Sequence, residues 1–349
     1  MQRIEEYDYD LPRELIAQEP LAERADARML IVDRKSQHWE SSHVRNFCDQ
    51  LRKDDCLVLN DTRVLPARLL GYRQKTGGRW EGLFLQQADD GTWKVMGKTR
   101  GKIKPGESIV LLDRHAREGL TLLLLAPLGD GLWAVRPSDS ETTLLELLKV
   151  YGRVPLPPYI RNGVMHTDDI ERYQTVFAEN PGSVAAPTAG LHFTPSLMEQ
   201  IQATGAVIAR VTLHVGIGTF RPISTGNLNE HVMHSEWGSI GSETAERING
   251  CRSRGGRTIA VGTTVVRLLE SAADSGTLRA WSGETNLFIR PPFSFQVTDA
   301  MLTNYHLPRS TLLVLVRTFG GDDLIRKAYQ YAVTDRYRFY SYGDCMLIT

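Results

Sequence analysis

The chain has 349 residues, a length at which one core usually gives way to two domains, and its 42% hydrophobic and 23% charged content is that of a globular protein. Its 41 basic and 41 acidic residues leave no net charge, which argues against indiscriminate binding to nucleic-acid phosphates. The start Met1–Asp10 is acidic and lacks an apolar segment behind a basic one, and no apolar run approaches the roughly 20 residues of a membrane span, so a cytoplasmic location is expected. Cys56–Asn60 reads as a short strand. Between residues 67 and 136, apolar runs at Ala67–Gly71, Glu81–Gln86, Trp93–Gly97, Ser108–Leu112, Leu120–Ala126 and Trp133–Val135 alternate with turn signals. Closely spaced runs of this kind predict an antiparallel β-barrel or sandwich, with hairpin turns at Lys75–Gly78, Asp89–Gly91 and Gly129–Gly131.

Thr142–Val150 has helical spacing, and the proline-rich Val154–Tyr159 closes this block as a stiff linker. Strands and helices then alternate. Ser196–Thr204 is a helix between Thr194 and Gly205, Ala206–Val215 a strand, Glu243–Arg254 a helix, Thr258–Val261 a buried strand and Thr264–Ala273 a helix. Asn286–Ile289 and Leu312–Val316 read as further strands, and Asp322–Val333 as a helix. This alternation predicts an α/β main domain with largely parallel strands, a barrel-like sheet with flanking helices, formed by residues 1–66 and 157–349. Residues 67–156 form a small antiparallel β-barrel domain inserted into it.

The four cysteines, Cys48, Cys56, Cys251 and Cys345, include no C-x-x-C pair and are expected to be free thiols. Residues 71–104 hold eight basic groups against three acidic ones. That surplus suits either lysine-protected strand edges or a face that contacts phosphates.

In α/β folds, reactive groups gather on loops beyond the carboxyl ends of strands. Asp61 and Arg63 follow the first such strand, where they can hold a polar ligand or pin a turn by pairing with each other. The small-residue turn Pro187–Phe193 carries His192, and a Gly-x-Gly loop follows His214. Glu230–Glu236 packs His231, His234 and two carboxylates into seven residues. Its His-x-x-His spacing invites a metal reading on a helix face, although without an H-E-x-x-H pattern or a nearby cysteine an acid/base patch or a plain surface feature fits better. Thr263 or Thr264 is placed to cap a helix beside amides that can bind an anionic or polar ligand, and Asn304 and His306 sit in a loop before Leu312–Val316. Asn304 can read a purine edge or satisfy its own loop. Each feature has a packing explanation on its own. Four histidine-bearing loops in one α/β domain point together to a shared cleft.

The ordered segments NDTRV-x-PARL, PGSVAAPTAGLHFT, VTLHVG-x-GTF-x-P, EH-x-MHSE, AVGTT-x-VR-x-LES, TN-x-HLP-x-STL and YRF-x-SYGD-x-M together resemble the S-adenosylmethionine:tRNA ribosyltransferase-isomerases of queuosine biosynthesis. The similarity runs nearly end to end and is weakest over residues 71–150. It implies transfer and isomerisation of the ribosyl group of S-adenosylmethionine onto 7-aminomethyl-7-deazaguanine at the tRNA wobble position, giving epoxyqueuosine-tRNA, adenine and methionine. The implied partners are that tRNA and S-adenosylmethionine as cosubstrate, with no cofactor, no metal, no membrane and a monomeric chain.

Carried over by motif, the resemblance assigns proton transfer to His192, His214, His234 and His306, with Glu236 orienting or assisting. It assigns binding to Asp61, Arg63, Thr263, Thr264 and Asn304. Three local departures from the family pattern, at Ala27, at Arg290 with Pro292, and at Arg317, alter loop shape without touching the histidine motifs. A tRNA methyltransferase, a noncatalytic tRNA-binding protein and a metal-dependent hydrolase using His231 and His234 are the rival readings, the last predicting loss of activity with chelators. The first lacks its expected glycine-rich loop here, and the second predicts binding without adenine release.

Overall fold

The computed structural model describes residues 3–216, 218, 223 and 225–349. The chain forms two compact units, one from Met1–Arg63, Tyr159–Arg161 and Arg172–Thr349, the other from Val64–Pro158 and Asn162–Glu171.

The larger unit is built on a nine-stranded sheet. Its strands are β1 (Arg28–Asp33), β2 (His38–His43), β3 (Cys56–Asn60), β4 (Val207–Leu213), β5 (Glu236–Ile240), β6 (Thr258–Val261), β7 (Trp281–Thr285), β8 (Ala300–Asn304) and β9 (Cys345–Ile348). Their spatial order is β7-β5-β4-β3-β6-β8-β9-β1-β2. The four neighbours β4, β3, β6 and β8 are mutually parallel, whereas β8–β9, β1–β2, β4–β5 and β5–β7 pair antiparallel. The predicted parallel character therefore holds at the centre, and the flanking pairs make the sheet mixed.

Strands β3, β6 and β8 are buried along their whole length, as strands covered on both faces must be. Alternate residues feed two separate cores. Val58, Ala260, Met301 and Met346 join the helices α2 (Ser242–Ser253), α3 (Thr263–Ala272), α4 (Thr311–Gly320) and α5 (Asp322–Thr334) on one face. Leu57, Leu59, Ile259 and Leu302 meet Leu197 and Ile201 of α1 (Pro195–Ala203), together with Phe47 and Phe193, on the other. The Thr194 hydroxyl caps α1 by accepting from Leu197 N at 3.1 Å, and Gly205 (φ 82°) supplies the left-handed residue just beyond its end.

Two predicted strands are corrected. Leu312–Val316 lies inside α4, whose first turn is capped by Ser310 Oγ accepting from Leu313 N at 3.2 Å. A short apolar run buried on all sides has no periodicity that separates strand from helix. Asn286–Ile289 is not a strand, because the ladder stops at Thr285, where Leu287 N donates to the Thr285 side chain at 3.2 Å. Asn304, expected in a loop, is the last residue of the buried strand Ala300–Asn304.

In the smaller unit six antiparallel strands close into a barrel: Arg68–Arg73, Arg79–Gln87, Trp93–Thr99, Leu132–Pro137, Glu118–Gly129 and Ser108–Leu112. Pairing of the last with the first seals it, so this ring presents no free edge. Trp80, Phe84 and Trp93 fill the interior, and a Cβ at Gly82 would lie 2.0 Å from the Trp80 ring. The helix Leu144–Tyr151 starts with a capping box between Thr143 and Glu146.

Candidate active site

Because β3, β4, β6 and β8 run in parallel, their carboxyl ends bring Asn60, Leu213, Val261 and Asn304 to one edge of the sheet. Beside that edge lies an open cleft. Thr263, Thr264, Asn304 and His306 line it together with Tyr159 and Ser310. Four of the ten sequence-predicted site residues therefore meet there.

Thr263 and Thr264 form the first turn of α3. The cap position belongs to Gly262, not to either threonine as predicted, and its φ of 97° turns the chain sharply from β6 into the helix. The first-turn amides of a helix have no intrahelical acceptor, so this corner suits an anionic or polar ligand.

His306 is fixed through its backbone, which donates to Tyr329 Oη at 3.1 Å and accepts from Tyr9 Oη at 2.6 Å. Its Nε2 bonds Thr303 Oγ1 at 2.8 Å. Burial pushes the imidazole down to about 3, so it is neutral at physiological pH.

Asn304 Nδ2 donates to Tyr340 O at 3.0 Å and reaches His192 Nε2 at 3.3 Å, while Oδ1 is buried without a hydrogen-bond partner among the described residues. An orphaned buried acceptor costs about 1–3 kcal/mol, a penalty that a ligand donor in the cleft would relieve. His192 lines a neighbouring hollow with Arg24 and Tyr342 rather than the cleft itself. Burial, reinforced by Arg24 and Arg338, pushes it down to about 4.

The other predicted residues lie elsewhere. Asp61 is buried as a structural anchor, its carboxylate accepting from Thr212 Oγ1 at 2.6 Å and its carbonyl from Glu179 N at 2.7 Å. Arg63 is exposed and donates to Ala178 O at 3.3 Å, so it does not pair with Asp61. His214 stacks on Trp237 with ring centroids 5.2 Å apart, and its Nδ1 bonds Thr62 Oγ1 at 2.8 Å. Burial lowers its pKa, and Asp61 opposes that shift.

His234 and Glu236 line a second hollow with Arg267 and Thr311, and Leu312 borders both this hollow and the cleft. The Glu230–Glu236 segment is not helical beyond the 3-10 turn Leu228–Glu230, so His231 and His234 share no helix face. Among the described residues no group of three or more His, Cys, Asp or Glu could hold a metal ion. The four histidines thus do not face one common cavity. His306 is in the cleft, His192 behind Asn304, His214 stacked on Trp237 and His234 in the adjoining hollow.

Sequence reasoning missed Arg267, which forms a buried ion pair with Glu236. Its signal was available: Arg267 stands three and four residues after Thr264 and Thr263, on the same side of α3. Thr62, Thr303 and Tyr340 were also missed, since hydroxyl and carbonyl partners leave no distinctive spacing.

Residues 4–348 match the family model described as queuosine biosynthesis protein. The chain is 47% identical over 349 residues to the S-adenosylmethionine:tRNA ribosyltransferase-isomerase of Symbiobacterium thermophilum, with 99% of both chains covered. It is 44% identical over 348 residues to the enzyme of the same name from Natranaerobius thermophilus, again with 99% of both covered. The crystal structure of S-adenosylmethionine tRNA ribosyltransferase from Thermotoga maritima matches at 35% identity and a TM-score of 0.56, covering 99% of this chain and 100% of that one. The carboxyl-edge cleft and the end-to-end likeness agree: this chain belongs to the S-adenosylmethionine:tRNA ribosyltransferase-isomerase family of queuosine biosynthesis, and is a transferase.

Proposed function

We propose that this enzyme transfers and isomerises the ribosyl group of S-adenosylmethionine onto 7-aminomethyl-7-deazaguanine at the wobble position of tRNA. Its products are epoxyqueuosine-tRNA, adenine and methionine. It acts in the cytoplasm, as a monomer, without a metal or redox cofactor. The observation that supports this reading is the placement of a neutral His306 beside Asn304, Thr263 and Thr264 in a single cleft.

The chemistry makes specific demands on such a cleft. The sulfonium acidifies the adjoining ribose carbon, so a neutral base can remove a proton there as adenine is expelled. The aminomethyl nitrogen of the tRNA base then attacks the sugar, and methionine departs. His306 lines the cleft and is therefore the imidazole placed to move a proton between the ribose carbon and the departing adenine. Thr303 orients its Nε2 for that exchange. The amide corner at Thr263 and Thr264 suits the polar parts of the cosubstrate.

The direct test is incubation with S-adenosylmethionine and tRNA carrying the aminomethylated base, followed by nucleoside mass analysis, with and without chelator. The expected product carries an added epoxycyclopentyl group in both cases. A methyl increment would support a methyltransferase, and an unchanged nucleoside a noncatalytic binder. Loss of product with chelator would contradict the metal-free reading.

A further inference from the structure

Asn304 is 2% exposed, and the contacts of its amide are directional. Nδ2 faces the carbonyls of Tyr340 at 3.0 Å and Asp344 at 3.5 Å, which can only accept, so the amide cannot be flipped. The third neighbour of Nδ2 is His192 Nε2 at 3.3 Å. That nitrogen must therefore be the acceptor, which places the imidazole proton on Nδ1. With these neighbours of Nδ2 placed to receive N–H, Asn304 keeps Oδ1 unpartnered among the described residues, on a side chain that lines the cleft.

We infer that His192 is a positioning residue, and that by accepting from Asn304 it holds the Asn304 Oδ1 as an acceptor for an amino group of the bound ligand. Of the amino groups on the proposed reactants, the one assigned to this acceptor is either the 6-amino group of S-adenosylmethionine or the aminomethyl group of the tRNA base. The inference rests on the function proposed above. It changes the role of His192, which touches Asn304 and not the cleft, from proton transfer to orientation. Its burial beside Arg24 and Arg338 suits that role, because a protonated ring would donate toward Nδ2 and break the contact.

The test is equilibrium binding, measured by calorimetry on the full-length protein, so it does not depend on turnover. One arm compares S-adenosylmethionine with its 6-oxo analogue. The other compares tRNA carrying the aminomethyl base with tRNA carrying a nitrile in its place. The wild type is expected to prefer the amino form about 10- to 100-fold in one arm, and that arm identifies the group. His192→Leu, which has no acceptor, should reduce the preference to within about threefold, and His192→Gln, whose Oε1 can accept, should restore it. Thermal melts establish that each variant is folded. If Leu unfolds the protein, His192→Phe and the wild-type comparison carry the test. A wild type with no amino preference in either arm, or a preference that survives in the folded Leu or Phe variant, overturns the inference. Absence of ribosyl transfer in the wild type would instead overturn the proposed function.

Discussion

The guanidinium of Arg267 closes on the carboxylate of Glu236 in the interior, with only 6% and 4% of the two side chains exposed. The other carboxylate oxygen, Oε1, accepts from Gly216 N at 2.8 Å, so the pair ties α3 and β5 to the loop after His214. Removing one partner leaves an uncompensated buried charge. Glu236→Leu should lower stability by about 3–5 kcal/mol, read as a shift in the urea midpoint. Adding Arg267→Met should recover part of that loss. Two losses that simply add would mean the ion pair carries no coupling.

Gly182 lies flat against the His214 ring, where an added Cβ would come within 2.5 Å of Nε2. Gly182→Ala should push the ring off Trp237 and Thr62, costing about 1–3 kcal/mol. Activity measured alongside stability reports on the role of His214. An active but less stable variant makes it a packing residue, and a stable but inactive one gives it a part in the reaction.

Acid should destabilise the protein through its buried histidines. His192 is held at about 4 against an ordinary 6.5 by burial first, then by Arg24 and Arg338. The folded state therefore resists protonation, so this contribution is fully present above about pH 6.5 and is lost as the pH falls toward 4. It amounts to about 3 kcal/mol. Burial acts in the same direction on His306. Urea midpoints should fall between pH 6.5 and 4, and His192→Gln should flatten that decline. A decline of equal size in the variant would assign the acid sensitivity to other groups.

The barrel carries the local basic surplus. Lys98, Lys102 and Lys104 are exposed there and form no ion pair with the described residues. Arg73 is already paired with Glu107 at 2.7 Å. Replacing the three lysines with alanine should weaken tRNA binding and reduce its salt slope by about 0.7–0.9 for each phosphate that is no longer neutralised. Unchanged affinity at every salt concentration would move the tRNA-binding face elsewhere.

The features most legible in the sequence were those with strong local causes. Six short runs separated by Gly and Asp turns became the barrel, and Thr194 with Gly205 bounded a helix as expected. Thr258–Val261 was readable as a buried strand and Cys56–Asn60 as a short one, from their apolar interiors. Leu312–Val316 was misread because a short, largely buried apolar run carries no periodicity that separates strand from helix. The site was legible as motifs but not as geometry. Histidine spacing along the chain carries no information on whether a ring faces a cleft, stacks on Trp237 or binds Asn304. Those outcomes depend on neighbours more than 20 residues away in sequence.

A cleft at the carboxyl ends of β3, β4, β6 and β8, worked by His306, stands or falls on one variant. His306→Gln keeps the size and hydrogen-bonding capacity of the side chain but cannot carry a proton between groups. Adenine release in a single turnover, measured beside S-adenosylmethionine affinity, should fall by at least ~100-fold while affinity changes by less than about fivefold. Near-native adenine release by this variant would remove proton transfer from the cleft.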